Sequence, residues 1–288
     1  MKKIIYISIF VVSQLLTGCK EEPPNIVFKD PTVSDYDTTY IVSSIAKPQT
    51  KVVLVEDFTG AKCTNCPAAH DEVADMIKNN PGRIVALSLH PTKHSLAAPI
   101  DPKFDFRLNE AQDLADNFGG FQGLPAGGVD RVKGNAQLYV YAINASLWSG
   151  FLQPRLSKTT PYNIDINNSY NATNNTITST VTVELTSATT DTLLLSVLYT
   201  ENKVVAPQEL GNQSVDSFYS HNHLVRKFVT PASGKQLPSK HEVGRVFVYR
   251  SVRKIDSSWN PNNMTVAAFV HSAGADKQVY HAAEKPVK

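Results

Sequence analysis

The rhythm of apolar and polar positions changes near residue 154. Before it, short apolar runs alternate with segments of helical period. Residues 51–58 (KVVLVEDF) and 83–90 (RIVALSLH) are nearly continuous apolar runs of strand length, the pattern of strands buried on both faces. Between them, residues 67–80 place Val73, Ala74, Met76 and Ile77 on one helical face, and Pro81-Gly82 ends the helix. Residues 91–106 keep neither period and read as an inserted loop. A short helix is expected over 109–118, closed by Gly119-Gly120. A strand near 128–132 and a helix across 137–151 follow. Strands alternating with helices predict a layered α/β domain over residues 40–153.

After residue 154 the helical period disappears. Residues 162–166, 176–185, 192–200, 224–229, 245–250, 265–271 and 278–282 have strand composition, separated by Asn, Gly, Ser and Pro clusters. Residues 176–185 (TITSTVTVEL) alternate polar with apolar throughout, the period of a half-buried strand. Some seven short strands predict an all-β sandwich of immunoglobulin-like type over residues 154–288. The cysteine pair of antibody domains is missing, so this expectation rests on strand number. Pro154 is expected to lie in a linker between the two domains.

The N-terminus has a third pattern. Lys2 and Lys3 precede an apolar run that ends at Leu16, the plan of a secretory signal. The run is shorter than the ~20 residues a membrane-spanning helix needs. It closes on Leu16-Thr17-Gly18-Cys19, which resembles the lipobox of bacterial lipoproteins. That resemblance implies removal of residues 1–18 and lipid on Cys19. Residues 19–39 are polar, carry proline, and read as a lipid-anchored tether. Lys20-Glu21-Glu22 resembles the surface-export signal of Bacteroidetes-type lipoproteins, which implies an outer-membrane protein displayed at the cell surface. Cleavage removes two of the 28 Lys and Arg residues and none of the 26 Asp and Glu. The mature chain is then formally neutral and has no basic field to attract nucleic acid.

Anchoring outside the cytoplasm puts the other two cysteines where disulfides persist. Cys63-Thr64-Asn65-Cys66 follows a buried strand and opens a helix. At this spacing two sulfurs can meet within one turn. The unpaired N–H groups and positive dipole of the helix start favour a thiolate on the first cysteine. Pro67 suits the first helical turn, where no backbone hydrogen bond is lost. Cys-x-x-Cys between strand and helix is a thioredoxin-like redox signature. Gly123-Leu124-Pro125 resembles the cis-proline loop of the thioredoxin superfamily, which implies that Pro125 lies against the cysteine pair and helps seat a substrate peptide. Asp57, six residues before Cys63, stands where thioredoxins carry a buried acid that relays protons to the second cysteine. Lys62 departs from the pattern, since thioredoxins have tryptophan there.

Residues 53–70 (VLVEDFTGAKCTNCPAAH) resemble the Omp-twenty-eight family of Bacteroidetes-type outer-membrane lipoproteins. So do His221-Asn222-His223-Leu224-Val225-Arg226 and the region 259–270. The resemblance implies a thioredoxin-like domain followed by a β-sandwich, and no particular activity. His70 follows Cys66 by one helical turn, on the same face. His90 and His94 bracket the start of the inserted loop, and His221 and His223 would share a face in a strand. Cys-x-x-Cys with a histidine suits a soft metal, yet each histidine also has an ordinary surface reading. No metal and no small-molecule cofactor is assigned.

Two functions remain open on the sequence. One is thiol-disulfide exchange with protein partners, with Cys63 attacking, Cys66 resolving, Pro125 seating the substrate and Asp57 moving the proton. The other is a non-enzymatic surface binding lipoprotein in which the Cys63–Cys66 disulfide is structural.

Overall fold

A computed structural model describes residues 34–120, 122–133, 141–239 and 242–288. In chain order the first half holds β1 (Ser34–Ile41), β2 (Val53–Phe58), α1 (Cys66–Asn79), β3 (Ile84–Leu89), α2 (Asn109–Asn117), β4 (Ala126–Val129) and α3 (Trp148–Leu156). Then come β5 (Tyr162–Asn171), β6 (Thr176–Leu185), β7 (Leu193–Glu201), β8 (Val204–Glu209), β9 (Val215–His221) and β10 (Leu224–Phe228). The chain closes with β11 (Lys235–Gln236), β12 (Arg245–Lys254), β13 (Met264–Ser272) and β14 (Val279–Pro286).

Two sheets lie face to face in a β-sandwich arrangement. One has the order β1-β12-β6-β5, and every neighbouring pair in it is antiparallel. The other runs β14-β13-β7-β10-β3-β2-β4, with β11 on β7. The space between them is filled by Ile177, Val181 and Val183 of β6 and Phe247 of β12, against Leu195 and Val197 of β7 and Val266 and Val270 of β13. The period-2 alternation of β6 is this packing seen in sequence, one face inward and one toward solvent.

The longer sheet continues into the α/β part. β2 and β3 are parallel and joined through α1, and β4 runs antiparallel on the far side of β2. The step from β10 to β3 is narrow: Leu224 pairs with Ser88, and the Ser88 N–H donates to the His223 carbonyl at 2.8 Å. β2 and β3 are apolar on both faces because both are covered. Val53, Val55 and Ala86 pack on Ala69, Val73 and Met76 of α1 and on Trp148 and Leu152 of α3. Leu54, Phe58 and Leu87 pack on the other side with Tyr141 and Phe269. Gly127 is required where it stands, since a side chain there would overlap the Trp148 ring.

Several expectations need correcting. The tether expected to run to residue 39 is strand from Ser34 on, paired along its whole length with β12. Its side chains are mostly exposed, so backbone hydrogen bonds and not an apolar face hold it, and the hydropathy pattern cannot reveal it. The helix expected over 137–151 starts at Trp148, after a 3-10 turn at Ala145–Leu147, and continues to Leu156. Residues 137–140 of that expectation lie outside the described residues. Pro154 is therefore inside α3, not in a linker. The boundary expected at 153/154 falls within this helix, and the eight-stranded sheet takes strands from both sides of it. All described residues belong to one compact unit. β8, β9 and β11 were not expected at all.

Candidate functional site

The end of β2 turns through Thr59-Gly60-Ala61-Lys62 to the first cysteine. The Cys63 N–H donates to the Gly60 carbonyl at 3.0 Å and the Cys66 N–H to the Cys63 carbonyl at 3.1 Å, winding the chain into α1. Pro67 occupies the first turn of the helix. Cys63 and Cys66 are joined in a disulfide, with their Cα atoms 5.3 Å apart. The Leu124-Pro125 peptide is cis. Pro125 shares a groove with Asn65 and Ala68 of the Cys-x-x-Cys segment and with Ile143 and Asn144. Cys63, Cys66 and Leu124 belong to one packed cluster. The structure thus brings the Cys-x-x-Cys segment and the Leu124-Pro125 turn to one place.

Asp57 is buried on the face of β2 that α1 covers. Neither carboxylate oxygen has a hydrogen-bond partner among the described residues. Burial without a partner penalises the charged form and pushes its pKa up to about 8. The nearest ionisable nitrogen is Nε2 of His70, 3.6 Å away. The same Nε2 is 2.8 Å from Thr59 Oγ1, and the opposite Nδ1 is 2.7 Å from the Tyr219 hydroxyl. Burial, reinforced by His221 and His223, pushes the His70 pKa down to about 3. The ring is neutral at physiological pH, so one nitrogen donates and the other accepts.

His221 and His90 extend this polar cluster. Their rings lie 6.5 Å apart, with Phe106 edge-on to both. Both ring nitrogens of His90 and Nε2 of His221 lack hydrogen-bond partners among the described residues. Burial holds His90 well below the usual histidine range and His221 at about 4. Among the described residues no three His, Cys, Asp or Glu side chains are grouped to hold a metal ion. His94 caps the 3-10 turn Ser95–Ala97. His221 and His223 do not share a strand face, because β9 ends at His221 and His223 turns the chain with φ of 54°. Cys19 lies outside the described residues.

No local pattern in the chain marks the cover over this site. The β8–β9 hairpin lies across the Cys-x-x-Cys loop and brings in Gln208, Tyr219 and His221. The only available signal was the unusual run of polar and aromatic residues from 208 to 223, which has no strand period.

The family model for outer membrane protein Omp28 matches residues 111–288. The chain belongs to the Omp28 outer membrane protein family. The match takes in Pro125, the β8–β9 hairpin and the whole sandwich, while Asp57, Cys63 and Cys66 precede it. Among solved structures, HBP35 of Porphyromonas gingivalis is similar at TM-score 0.65 and 19% identity, covering 84% of this chain and 77% of that one. Protein AGR_C_4864 from Agrobacterium tumefaciens is similar at TM-score 0.51 and 14% identity, covering 83% and 96%. At such identities the likeness concerns the fold. No curated protein matches the chain. Membership of the family associates the chain with the outer membrane, and no helix among the described residues is long and apolar enough to cross one.

Proposed function

We propose that this protein is a lipid-anchored, thioredoxin-like member of its family that exchanges disulfides with protein partners through Cys63 and Cys66. The observation that carries the reading is the placement of the disulfide. It lies between a parallel strand and the start of its following helix, next to the groove that holds Pro125, and the strand that leads to it carries a buried acid, Asp57, whose pKa burial raises to about 8. That acid fits the chemistry. A partner thiolate attacks Sγ of Cys63, the Cys63–Cys66 bond breaks, and Cys66 leaves as a thiolate. The protonated Asp57 supplies a proton to Cys66 as it leaves. The partner's second thiolate then attacks its own sulfur in the mixed disulfide and releases Cys63. The partner ends oxidised and this protein reduced, and the reverse sequence oxidises this protein.

With Cys66→Ser, Cys63 has no resolving thiol and should retain partners as mixed disulfides, visible on non-reducing gels and lost on adding reductant. Capture of nothing, together with a reduction potential below about −300 mV, would leave the disulfide a structural one. A specific observation favours that second reading, a surface binding protein with a structural disulfide: neither cysteine is open to solvent.

The anchor is proposed at Cys19, with the chain facing the cell surface. Cys19→Ala should move the protein from the membrane fraction to the soluble one or stall its processing. Wild-type protein that keeps residues 1–18 in the membrane would refute lipidation.

A further inference from the structure

Cys63 is 1% exposed and Cys66 0%. A sulfur this deep cannot be reached by a thiol in line with the S–S bond while the fold is closed. Two segments pack on the loop Gly60–Cys63 that carries it. The turn Ser95–Ala97 packs so closely on Gly60 that a side chain at that position would overlap the Leu96 carbonyl. The second cover is the β8–β9 hairpin.

The hairpin forms its own two-stranded sheet, and among the described residues neither of its strands pairs with the larger sheets. A lone hairpin is marginally stable, so its position depends on the contacts beneath it. Ala206 and His221 pack on Phe106 below, and specific hydrogen bonds reach the cysteine loop. The Glu209 N–H donates to the Ala61 carbonyl at 2.8 Å. The Gln208 side chain is fully buried, and its Nε2 lies 3.2 Å from the Gly60 carbonyl and 3.1 Å from the Cys63 carbonyl. Tyr219 bonds His70 on α1. Both ends of the hairpin turn through left-handed residues, Lys203 with φ of 58° and His223 with φ of 54°. At that base the Lys203 N–H donates to Asn222 Oδ1 and the His223 N–H to Asn202 Oδ1, at 3.0 and 2.8 Å. The base is thus tied to itself and, through Ser88, to β3, so it can act as a hinge, and the far end is held to the cysteine loop through Gln208 and Glu209.

We propose that the β8–β9 hairpin gates the disulfide: a thiol reaches Cys63 only when the hairpin lifts from the loop Gly60–Cys63, and Gln208 and Tyr219 hold it down. The gate deepens the exchange reading and rests on it for its use in the cell. The gating itself applies to any thiol. Proteins able to displace the hairpin would exchange, and small thiols would be excluded, so the hairpin sets the specificity of the pair.

The test uses the full mature chain and dithiothreitol. One dithiothreitol sulfur attacks Cys63 and expels Cys66. Its second sulfur closes the six-membered ring and frees Cys63, so dithiothreitol is oxidised and the pair reduced. Reduction is followed by mass after rapid alkylation. Gln208→Ala should speed it about tenfold, because its hydrogen bonds to the loop are lost. Tyr219→Phe should speed it by a smaller factor while keeping the ring in place. Hydrogen exchange in both variants should rise in β8 and β9 and stay at the wild-type level in β7 and β13. Wild-type reduction as fast as in the variants would overturn the gate. So would acceleration that comes only with lost protection in β7 and β13, since that is general unfolding. Failure of the two readings can be told apart. Variants that reduce quickly but capture no protein through Cys66→Ser leave the gate and remove the exchange. A wild type that reduces at once, with partners still captured through Cys66→Ser, does the opposite.

Discussion

Asp57→Asn is expected to stabilise the protein at pH 8 by about 3–5 kcal/mol while changing it little near pH 4. The carboxyl is buried with no hydrogen-bond partner among the described residues, and its pKa is raised from 3.8 to about 8. In the unfolded chain the group ionises near its ordinary value. Between those two values the native state binds more protons than the unfolded state, so stability falls as pH rises. Asparagine has nearly the same shape and does not titrate, so this loss should vanish. The histidines act with the opposite sign. His70 and His221 are depressed from 6.5 to about 3 and about 4, so they lower stability as pH falls below 6.5. Wild type should therefore be most stable at mildly acidic pH, and Asp57→Asn should be flat from neutral to pH 8. Urea midpoints at pH 4, 6 and 8 measure this. A variant that tracks the wild type across that range would show that Asp57 is not buried unpaired. The same variant should slow exchange through the cysteine pair, because asparagine cannot pass a proton to Cys66. Gain of stability with loss of rate is the mark of a group kept for chemistry.

Asp130→Asn is expected to cost about 3 kcal/mol or more, and most of the loss should be recovered by adding Lys51→Met. Asp130 ends β4 with φ of 48°, a conformation that asparagine also tolerates. Its Oδ2 lies 2.8 Å from Lys51 Nζ and 2.8 Å from Arg155 Nε, and its Oδ1 accepts the Leu54 N–H at 2.9 Å. Lys51 Nζ also donates to the Tyr280 carbonyl at 2.8 Å. One carboxylate therefore ties β2, α3 and β14 together. Its side chain and that of Lys51 have almost no exposure, so loss of its charge leaves an ammonium buried without its counter-ion. Burial already lowers the Lys51 pKa, and without Asp130 the amine should go neutral at a cost. Lys51→Met takes away the stranded ammonium, so the double variant no longer buries that charge without a counter-ion, which is far less costly. Guanidinium melts of the two single variants and the double variant give the coupling directly. Strict additivity would mean that the two groups do not act as a pair.

Much of this architecture was legible in the chain. Continuous apolar runs at 51–58 and 83–90 marked strands covered on both sides, and the period at 67–80 marked α1 almost to the residue. The alternation of 176–185 marked a strand with one face inward. These signals are local, because each records a single element's own burial pattern. The spacing of Cys63 and Cys66 after a strand and before a helix likewise sufficed to place them in bonding range.

Only the tertiary structure decided the rest, because the deciding contacts are distant in sequence. β1 is held by backbone bonds to β12, some two hundred residues away, and leaves no hydropathy trace. The sheet that joins β3 to β10 rests on a single paired position, which no composition change at residue 154 could disclose. Asp57 read as an acid near a cysteine. Its missing partners, and the consequent pKa near 8, belong to the packing around it. The cover on the disulfide is the furthest from any local signal. Gln208 is a polar residue in an irregular strand, and its amide matters only because the fold lays it on the carbonyls of Gly60 and Cys63. Hydropathy and spacing determine which segments are buried and which cysteines can meet. Long-range hydrogen bonds decide what lies over them.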